Sequence, residues 1–484
     1  MTQNFEQYIG GEWKPSANSA RRPIFSPYDG REVGTVAVSE LPDAEEAIRQ
    51  AHDSFAQTQR LPSHVRHDIL RQIEDTLGTR REELARSIVD EAGKPIRDAR
   101  AEVDRARLVF SLAADETRRF DGGEFLPLDL NAASNGRMGI VRRFPAGVVA
   151  ALTPFNFPLN LVAHKVAPAL AAGCPIVLKP AEKTPLTSLR LAEIIAETAW
   201  PKGAFSVLTP ATPQEIGNLL ATDERIKVVS FTGSAQVGWE LKAKANRKKV
   251  TLELGGNAAV IVHDDVPDLE YAVSRCVTGA FANAGQVCIS VQRIFIQRSL
   301  FDDFVARFTE EAGRLVLGDP GDDTTDIGPM ISEAACRKVE SWRDAAIADG
   351  AKALLLGSRR PGSTLLPATV LTNTKPTMAV NSEEIFGPLA VLERYDTFGE
   401  ALARVNQGRY GLQAGVFTRD VSRLFEAFAA LEVGGVIAND VPQYRVDNMP
   451  YGGVKDSGFG REGVRYAIAE MTETRLLALN LPGS

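Results

Sequence analysis

Val148-Val149-Ala150-Ala151-Leu152 is followed at short intervals by Ile176-Val177-Leu178 and Val228-Val229-Ser230-Phe231. Each is a continuous apolar run of strand length. The segments between them, Leu159–Ala172, Ser188–Thr198 and Pro213–Ala221, carry apolar residues at helical spacing. Strands apolar on both faces that alternate with helices belong to a parallel sheet covered on both sides. The pattern begins again at Ala258–Val262, with a helix at Asp268–Phe281, a strand at Arg293–Ile296 and a helix at Phe301–Val316. The fold class expected is therefore α/β, with two such units in succession and no repeat or long linker between them.

Before the first unit, Leu41–Gln57, Ser63–Leu77, Arg80–Glu91 and Ile96–Thr117 read as amphipathic helices, punctuated by Pro62 and by Gly93-Lys94-Pro95. After the second unit, Thr472–Leu481 reads as a strand suited to pairing with another element or another subunit. The chain has 484 residues, enough for two large domains or about three of ordinary size. A hydrophobic fraction of 44% and a charged fraction of 24% exclude a disordered chain. The 55 basic and 62 acidic residues are dispersed, so neither nucleic acid nor an anionic membrane is an expected partner. Phe144–Ala163 is uncharged and long enough to span a bilayer, but Pro145, Pro154 and Pro158 fit a strand and loop better. The polar N-terminus and four cysteines without paired or metal-ligand spacing point to a cytoplasmic protein with no disulfide scaffold and no metal.

Three short segments carry chemistry. Phe231-Thr232-Gly233-Ser234-Ala235-Gln236-Val237-Gly238 follows a strand and opens a helix, so it is either an ordinary turn or a phosphate-binding helix end. The GxGxxG dinucleotide fingerprint is missing. Cys288, in Gly285-Gln286-Val287-Cys288, is either a buried structural thiol or a loop nucleophile, whereas Cys174, Cys276 and Cys336 sit in helical or apolar surroundings. Glu253, in Leu252-Glu253-Leu254-Gly255-Gly256, is either a strand-end carboxylate reaching solvent or a buried group whose raised pKa suits a general base.

Taken in order, Pro154-Phe155-Asn156-Phe157-Pro158, Leu178-Lys179-Pro180-Ala181-Glu182, Phe231–Ser234, Leu252–Gly256, Gly285–Cys288 and Glu383-Glu384-Ile385-Phe386-Gly387-Pro388 resemble the NAD(P)-dependent aldehyde dehydrogenase superfamily. The resemblance runs from Tyr8-Ile9-Gly10-Gly11-Glu12-Trp13 to Pro450-Tyr451-Gly452-Gly453, with a flavour of the lactaldehyde branch. It implies a Rossmann-like cofactor domain over 1–121 and 142–252, an α/β catalytic domain over 253–465, and a small β oligomerisation arm at 122–141 and 466–484. It also implies a homodimer or homotetramer.

Carried over, the resemblance makes Cys288 the nucleophile, Asn156 the oxyanion donor and Glu253 the base that activates water. Lys179 and Glu182 would bind the adenosine ribose, and Gly233 and Ser234 the pyrophosphate. Glu384 would hold the nicotinamide ribose, with Phe386 packed nearby. Thr153, Pro154, Phe155, Phe231, Leu254 and Gly255 complete the cofactor set. Glu182 disfavours a 2′-phosphate, so NAD is the expected cofactor, with NADP weaker.

Arg105, Asn160, His164, Ile289 and Arg445 fall at substrate positions, where relatives acting on simple aliphatic aldehydes have apolar or aromatic residues at 105, 164 and 445. A positive pocket would result, with His164 contributing most when protonated and a small anionic or hydroxylated aldehyde as substrate. Pairing of the arginines with Asp104 or Asp447 is the competing arrangement. Lactaldehyde and phosphonoacetaldehyde are candidate substrates. Val287 departs from the phosphonoacetaldehyde pattern, which has arginine there, and Ala282 departs from the succinic semialdehyde pattern in the same way. Asn257 stands where many relatives have lysine. The alternatives are a coenzyme A-acylating enzyme, an oxidiser of uncharged aliphatic aldehydes and a non-catalytic member. Glu253 argues against the first, and the intact Cys288, Glu253 and Asn156 against the last.

Overall fold

The strand Val148–Leu152 lies at the centre of an eight-stranded sheet in the computed structural model, which describes residues 3–120 and 123–481. Ile176–Lys179 and Phe205–Val207 follow on one side, and Ile226–Thr232 and Lys249–Glu253 on the other, all parallel. The chain therefore reverses its direction of sheet growth between Val148–Leu152 and Ile226–Thr232. Such a switch point leaves a crevice beyond the C-terminal strand ends, where α/β folds bind ligands.

A second, seven-stranded sheet runs in the order Lys352–Leu356, Thr369–Thr372, Leu389–Tyr395, Arg293–Gln297, Ala259–Val262, Gln413–Phe417 and Gly435–Ala438. All its neighbours are parallel except the first pair. Thr472–Asn480 pairs along its whole length with Arg137–Pro145, and Glu124–Pro127 completes this separate three-stranded sheet. Residues 1, 2, 121, 122 and 482–484 of the expected domain ranges lie outside the described residues. No described helix is long and apolar enough to cross a membrane.

The expected elements form, with instructive differences. The helix expected at Ser188–Thr198 runs Leu186–Ala196. Its first N–H groups are capped by the buried Glu91 of another helix, which accepts from Leu186 N at 2.7 Å and Thr187 N at 2.9 Å. The helix expected to reach Val316 ends at Gly313. Gln7–Ile9 and Glu12–Lys14 form a hairpin at the edge of the first sheet. Gly10 and Gly11 turn it with φ of +64° and +86°, as a two-residue primed turn requires. Gly458–Phe459, expected within the second unit, pairs antiparallel with Leu252–Glu253 of the first.

One buried carboxylate shapes the approach to the crevice. Glu102, on the helix Ile96–Phe120, accepts from Leu159 N at 2.9 Å and Asn160 N at 3.1 Å, capping the helix Asn160–Ala172. Its other oxygen pairs with Lys94, whose ammonium lies 3.5 Å from the centroid of the Phe157 ring. Both partners are buried, so removing one leaves an uncompensated charge. Glu102→Ala should therefore cost about 3–5 kcal/mol, read as a lower urea midpoint. Arg314→Ala, which breaks the exposed pair with Glu310, should leave that midpoint where it was.

Candidate active site

The loop that leaves Val148–Leu152 carries Asn156 to the loop that carries Cys288. Asn156 Nδ2 donates to Gln286 O at 2.9 Å, and Asn283 Nδ2 donates weakly to Asn156 O at 3.5 Å. Asn283, Ala284 and Gly285 are all left-handed, with φ of 51°, 55° and 68°. A Cβ on Gly285 would lie 2.2 Å from Gly387 O, which explains why this turn and the Phe386-Gly387-Pro388 segment are each glycine-bearing. Gln286 staples the turn, accepting from Ile331 N at 2.8 Å and donating to Asn283 O at 3.1 Å.

Cys288 Sγ lies 3.1 Å from the Tyr451 hydroxyl. Burial pushes the thiol up to about 11, opposed by the hydrogen bond with Tyr451 and by the charge of Arg445. The strand Lys249–Glu253 ends at the same centre. Glu253 is buried and neither carboxylate oxygen has a hydrogen-bond partner. Burial, reinforced by nearby Glu462, holds its pKa well above the usual carboxylate range.

The switch-point crevice opens as a cleft of about 390 Å³ lined by Thr153, Pro154, Phe155, Lys179, Glu182, Phe231, Gly233 and Ser234 among others. These eight are among the residues expected to hold a cofactor. Burial brings Lys179 down to about 8, partly offset by Glu182. The hydroxyls of Thr153 and Thr232 are buried without a hydrogen-bond partner, so the cleft offers polar groups to an incoming ligand. Leu254 and Gly255 follow the strand Lys249–Glu253, and the Glu384 carboxylate lies against Gly255. Glu384 accepts from Gly256 N at 3.0 Å and is pushed by burial to about 7. Phe386 meets Phe155 edge to face with centroids 5.8 Å apart. A dinucleotide with two riboses and a pyrophosphate fits this donor set.

Arg105 takes the competing arrangement, paired with Asp447, which His164 also meets, and Arg445 lies beside His164. Arg105 Nη2 lies 2.6 Å and His164 Nε2 2.8 Å from Asp447 Oδ1. Asp104 pairs instead with Arg81. Burial and Arg445 push His164 below its ordinary pKa, so the expectation of a protonated histidine gives way to a neutral one. Burial alone would raise Asp447, but His164 and Arg105 outweigh it and hold the carboxylate well below the usual range.

The Arg445 side chain is buried, with its guanidinium carbon 3.6 Å from the Tyr451 ring centroid and no hydrogen-bond partner for Nε. Its Nη2 is 3.3 Å from His164 Nε2, but a proton given to Asp447 leaves that nitrogen no lone pair to accept with. Glu462, 3.7 Å from Arg445, is already bonded at 2.6 Å to buried Lys165. With the Arg105–Asp447 and Lys165–Glu462 pairs balanced and His164 neutral, Arg445 is the one unbalanced cation of this cluster. Asn160 and Ile289 are buried as well; Asn160 Oδ1 has no hydrogen-bond partner, and Ile289 packs with Val287, Leu412 and Tyr451 beside Cys288. Asn257 Oδ1 accepts from the buried Arg293 at 3.2 Å, a structural role that explains a polar side chain there.

Tyr451, Glu462 and Lys165 do not stand out as site residues in the sequence, whereas Asp447 is the pairing partner expected for the arginines. Tyr451 lies inside a recognisable Pro-Tyr-Gly-Gly block, but its contact with Cys288 bridges 163 positions.

Residues 13–477 match the aldehyde dehydrogenase family, and the chain belongs to that family. It is an NAD(P)-dependent oxidoreductase that oxidises aldehydes; solved neighbours with TM-scores of 0.95, at 34% and 36% identity, are NAD- and NADP-dependent respectively. The chain is similar to the 3-sulfolactaldehyde dehydrogenase of Priestia megaterium, 44% identical over 481 residues covering 99% of each chain. It is also similar to the lactaldehyde dehydrogenase of Methanococcus aeolicus, 38% identical over 98% of this chain and 99% of that one. The crystal structure of aldehyde dehydrogenase 21 from Physcomitrella patens, in complex with the reaction product succinate, superposes with a TM-score of 0.97 at 41% identity and full coverage of both chains.

Proposed function

We propose that this enzyme oxidises a short aldehyde whose far end carries a carboxylate or sulfonate, using Cys288 as nucleophile and water as the final acyl acceptor. The unbalanced buried charge of Arg445, stacked directly above the residue that touches Cys288, is the observation that carries the substrate class. Each charge-assisted hydrogen bond from the guanidinium to a substrate anion is typically worth ~1.5–3 kcal/mol. The relative named for 3-sulfolactaldehyde and the neighbour bound to succinate, both acting on anionic compounds, support the same class.

In this reading the Cys288 thiolate attacks the aldehyde carbon, and the resulting oxyanion accepts from the second N–H of Asn156 Nδ2 and from the Cys288 backbone N–H. When bound, oxidised NAD(P) supplies the hydride acceptor that turns the thiohemiacetal into a thioester. Lys179, Glu182, Gly233 and Ser234 would bind its adenosine end and Glu384 its nicotinamide ribose. Glu253 takes a proton from water as the water adds to the thioester carbonyl. The C–S bond then breaks, releasing the acid and restoring the Cys288 thiolate. A buried carboxyl with no hydrogen bond of its own is suited to this step, because nothing in the resting site competes for its lone pairs. The cofactor-binding role proposed for 1–121 and 142–252 rests on the first sheet. A self-association role for 122–141 and 466–484 is supported by Leu476 and Leu477, each 56% exposed on an edge strand.

Cys288→Ala should lower NADH formation from such an aldehyde by ~10³-fold or more while leaving NAD binding intact. Turnover close to wild type, measured by absorbance of NADH, would remove the nucleophile assignment. Glu253 is neutral below its raised pKa and cannot accept a proton, so kcat should climb as pH rises through that value. Glu253→Gln should flatten the climb and slow the steady state ~10²–10⁴-fold while sparing the first-turnover burst of NADH. Loss of burst and steady state together would move Glu253 to an earlier step. Arg445→Gln should lower kcat/KM for a three- or four-carbon carboxylated or sulfonated aldehyde at least ~10-fold more than that for propanal. Equal losses for both substrates would favour an enzyme of uncharged aldehydes.

A further inference from the structure

We propose that Tyr451 is a catalytic residue: its hydroxyl donates a hydrogen bond to the Cys288 thiolate, and the Arg445 cation on its ring strengthens that bond. The inference rests on Cys288 being the nucleophile and goes beyond that assignment. Tyr451 is 2% exposed, and its hydroxyl, 3.1 Å from Sγ, is the hydrogen-bond partner of the sulfur among the described residues. In the resting thiol either atom can donate; once the thiol proton has left, only the phenol can. A guanidinium 3.6 Å from the ring centroid draws electron density from the phenol and makes its O–H the better donor.

The other groups around the sulfur cannot take this part. Glu253 and Glu384, when ionised, disfavour a thiolate, and Asn156 Nδ2 gives one N–H to Gln286 O and keeps the other for the substrate oxygen. Arg445 favours the thiolate only through space, across the ring that it covers. Burial keeps the Tyr451 proton far above neutral pH, so the donor is present throughout the working range. The same hydroxyl serves the reaction twice. It holds the thiolate before attack on the aldehyde. It meets the sulfur again when the thioester C–S bond breaks and the electron pair returns to the thiolate, the proton of the attacking water having gone to Glu253.

The test is the pH profile of iodoacetamide alkylation at Cys288 in the full-length enzyme, mapped by peptide mass so that Cys174, Cys276 and Cys336 do not contribute. Tyr451→Phe keeps the ring and the stacked cation and removes only the donor. The thiol pKa read from the profile should rise by roughly one unit or more, the size of a lost charge-assisted hydrogen bond. Site-specific 3-fluorotyrosine at position 451 makes the phenol a stronger donor and should move the profile the opposite way. Paired shifts of opposite sign support the proposal, because packing damage cannot produce them. An unmoved profile in both variants overturns it, and so does a rise in the phenylalanine variant with no fall in the fluorinated one. If alkylation of Cys288 in the unmodified enzyme leaves turnover intact, the nucleophile assignment itself fails.

Discussion

Asn156 Nδ2 to Gln286 O, at 2.9 Å, is the contact through which the two sheets share one active centre. Asn156 belongs to the loop beyond the first sheet, Gln286 to the turn that precedes the second sheet's strand Arg293–Gln297. On one side the asparagine loop is held by Glu102, which caps the helix that follows it and is itself neutralised by Lys94. On the other side three consecutive left-handed residues would be costly for a free turn; Gln286 holds them by bonding to two separate segments. The chemistry is therefore placed by buried polar groups reaching across elements. None of these groups could relax independently without leaving an unpaired donor or charge in the interior.

The charges near Cys288 follow the same economy. Two buried ion pairs, Arg105–Asp447 and Lys165–Glu462, balance themselves, and burial disfavours the charged forms of Glu253 and His164. Arg445 is left with no carboxylate closer than 3.7 Å. Its position above Tyr451 lets one guanidinium serve both a ligand's anion and the ring beneath it.

Much of the first sheet was legible in the residues because parallel strands buried on both faces are written as unbroken apolar runs. Val148–Leu152 and Ile176–Lys179 are entirely buried. Cys288, Glu253 and Asn156 were legible because each lies in a recognisable ordered motif; the crowding of Gly285 against Gly387 gives one physical reason for the glycine in the Cys288 motif and for that in Glu383–Pro388. What escaped was tertiary. The start of the helix Leu186–Ala196 depends on Glu91, which belongs to a different helix. His164 reads as a potential cation until its burial against Arg445 is known. Tyr451 lies in a recognisable Pro-Tyr-Gly-Gly block, but nothing in that block announces its contact with Cys288.

The edge of the first sheet has a consequence for how the polypeptide is made. Leu252 and Glu253 finish the parallel core, yet their outer partners Phe459 and Gly458 emerge from the ribosome about 200 residues later. Arg137–Pro145 waits longer still for Thr472–Asn480. A nascent chain must therefore carry an apolar sheet with an open border, and a hairpin with one free edge, while the whole second sheet is translated. The interval is one in which unpaired strand edges invite association with other chains. Shielding by a chaperone, or prompt translation through the second sheet, would set the yield of folded enzyme more than the stability of the finished molecule does.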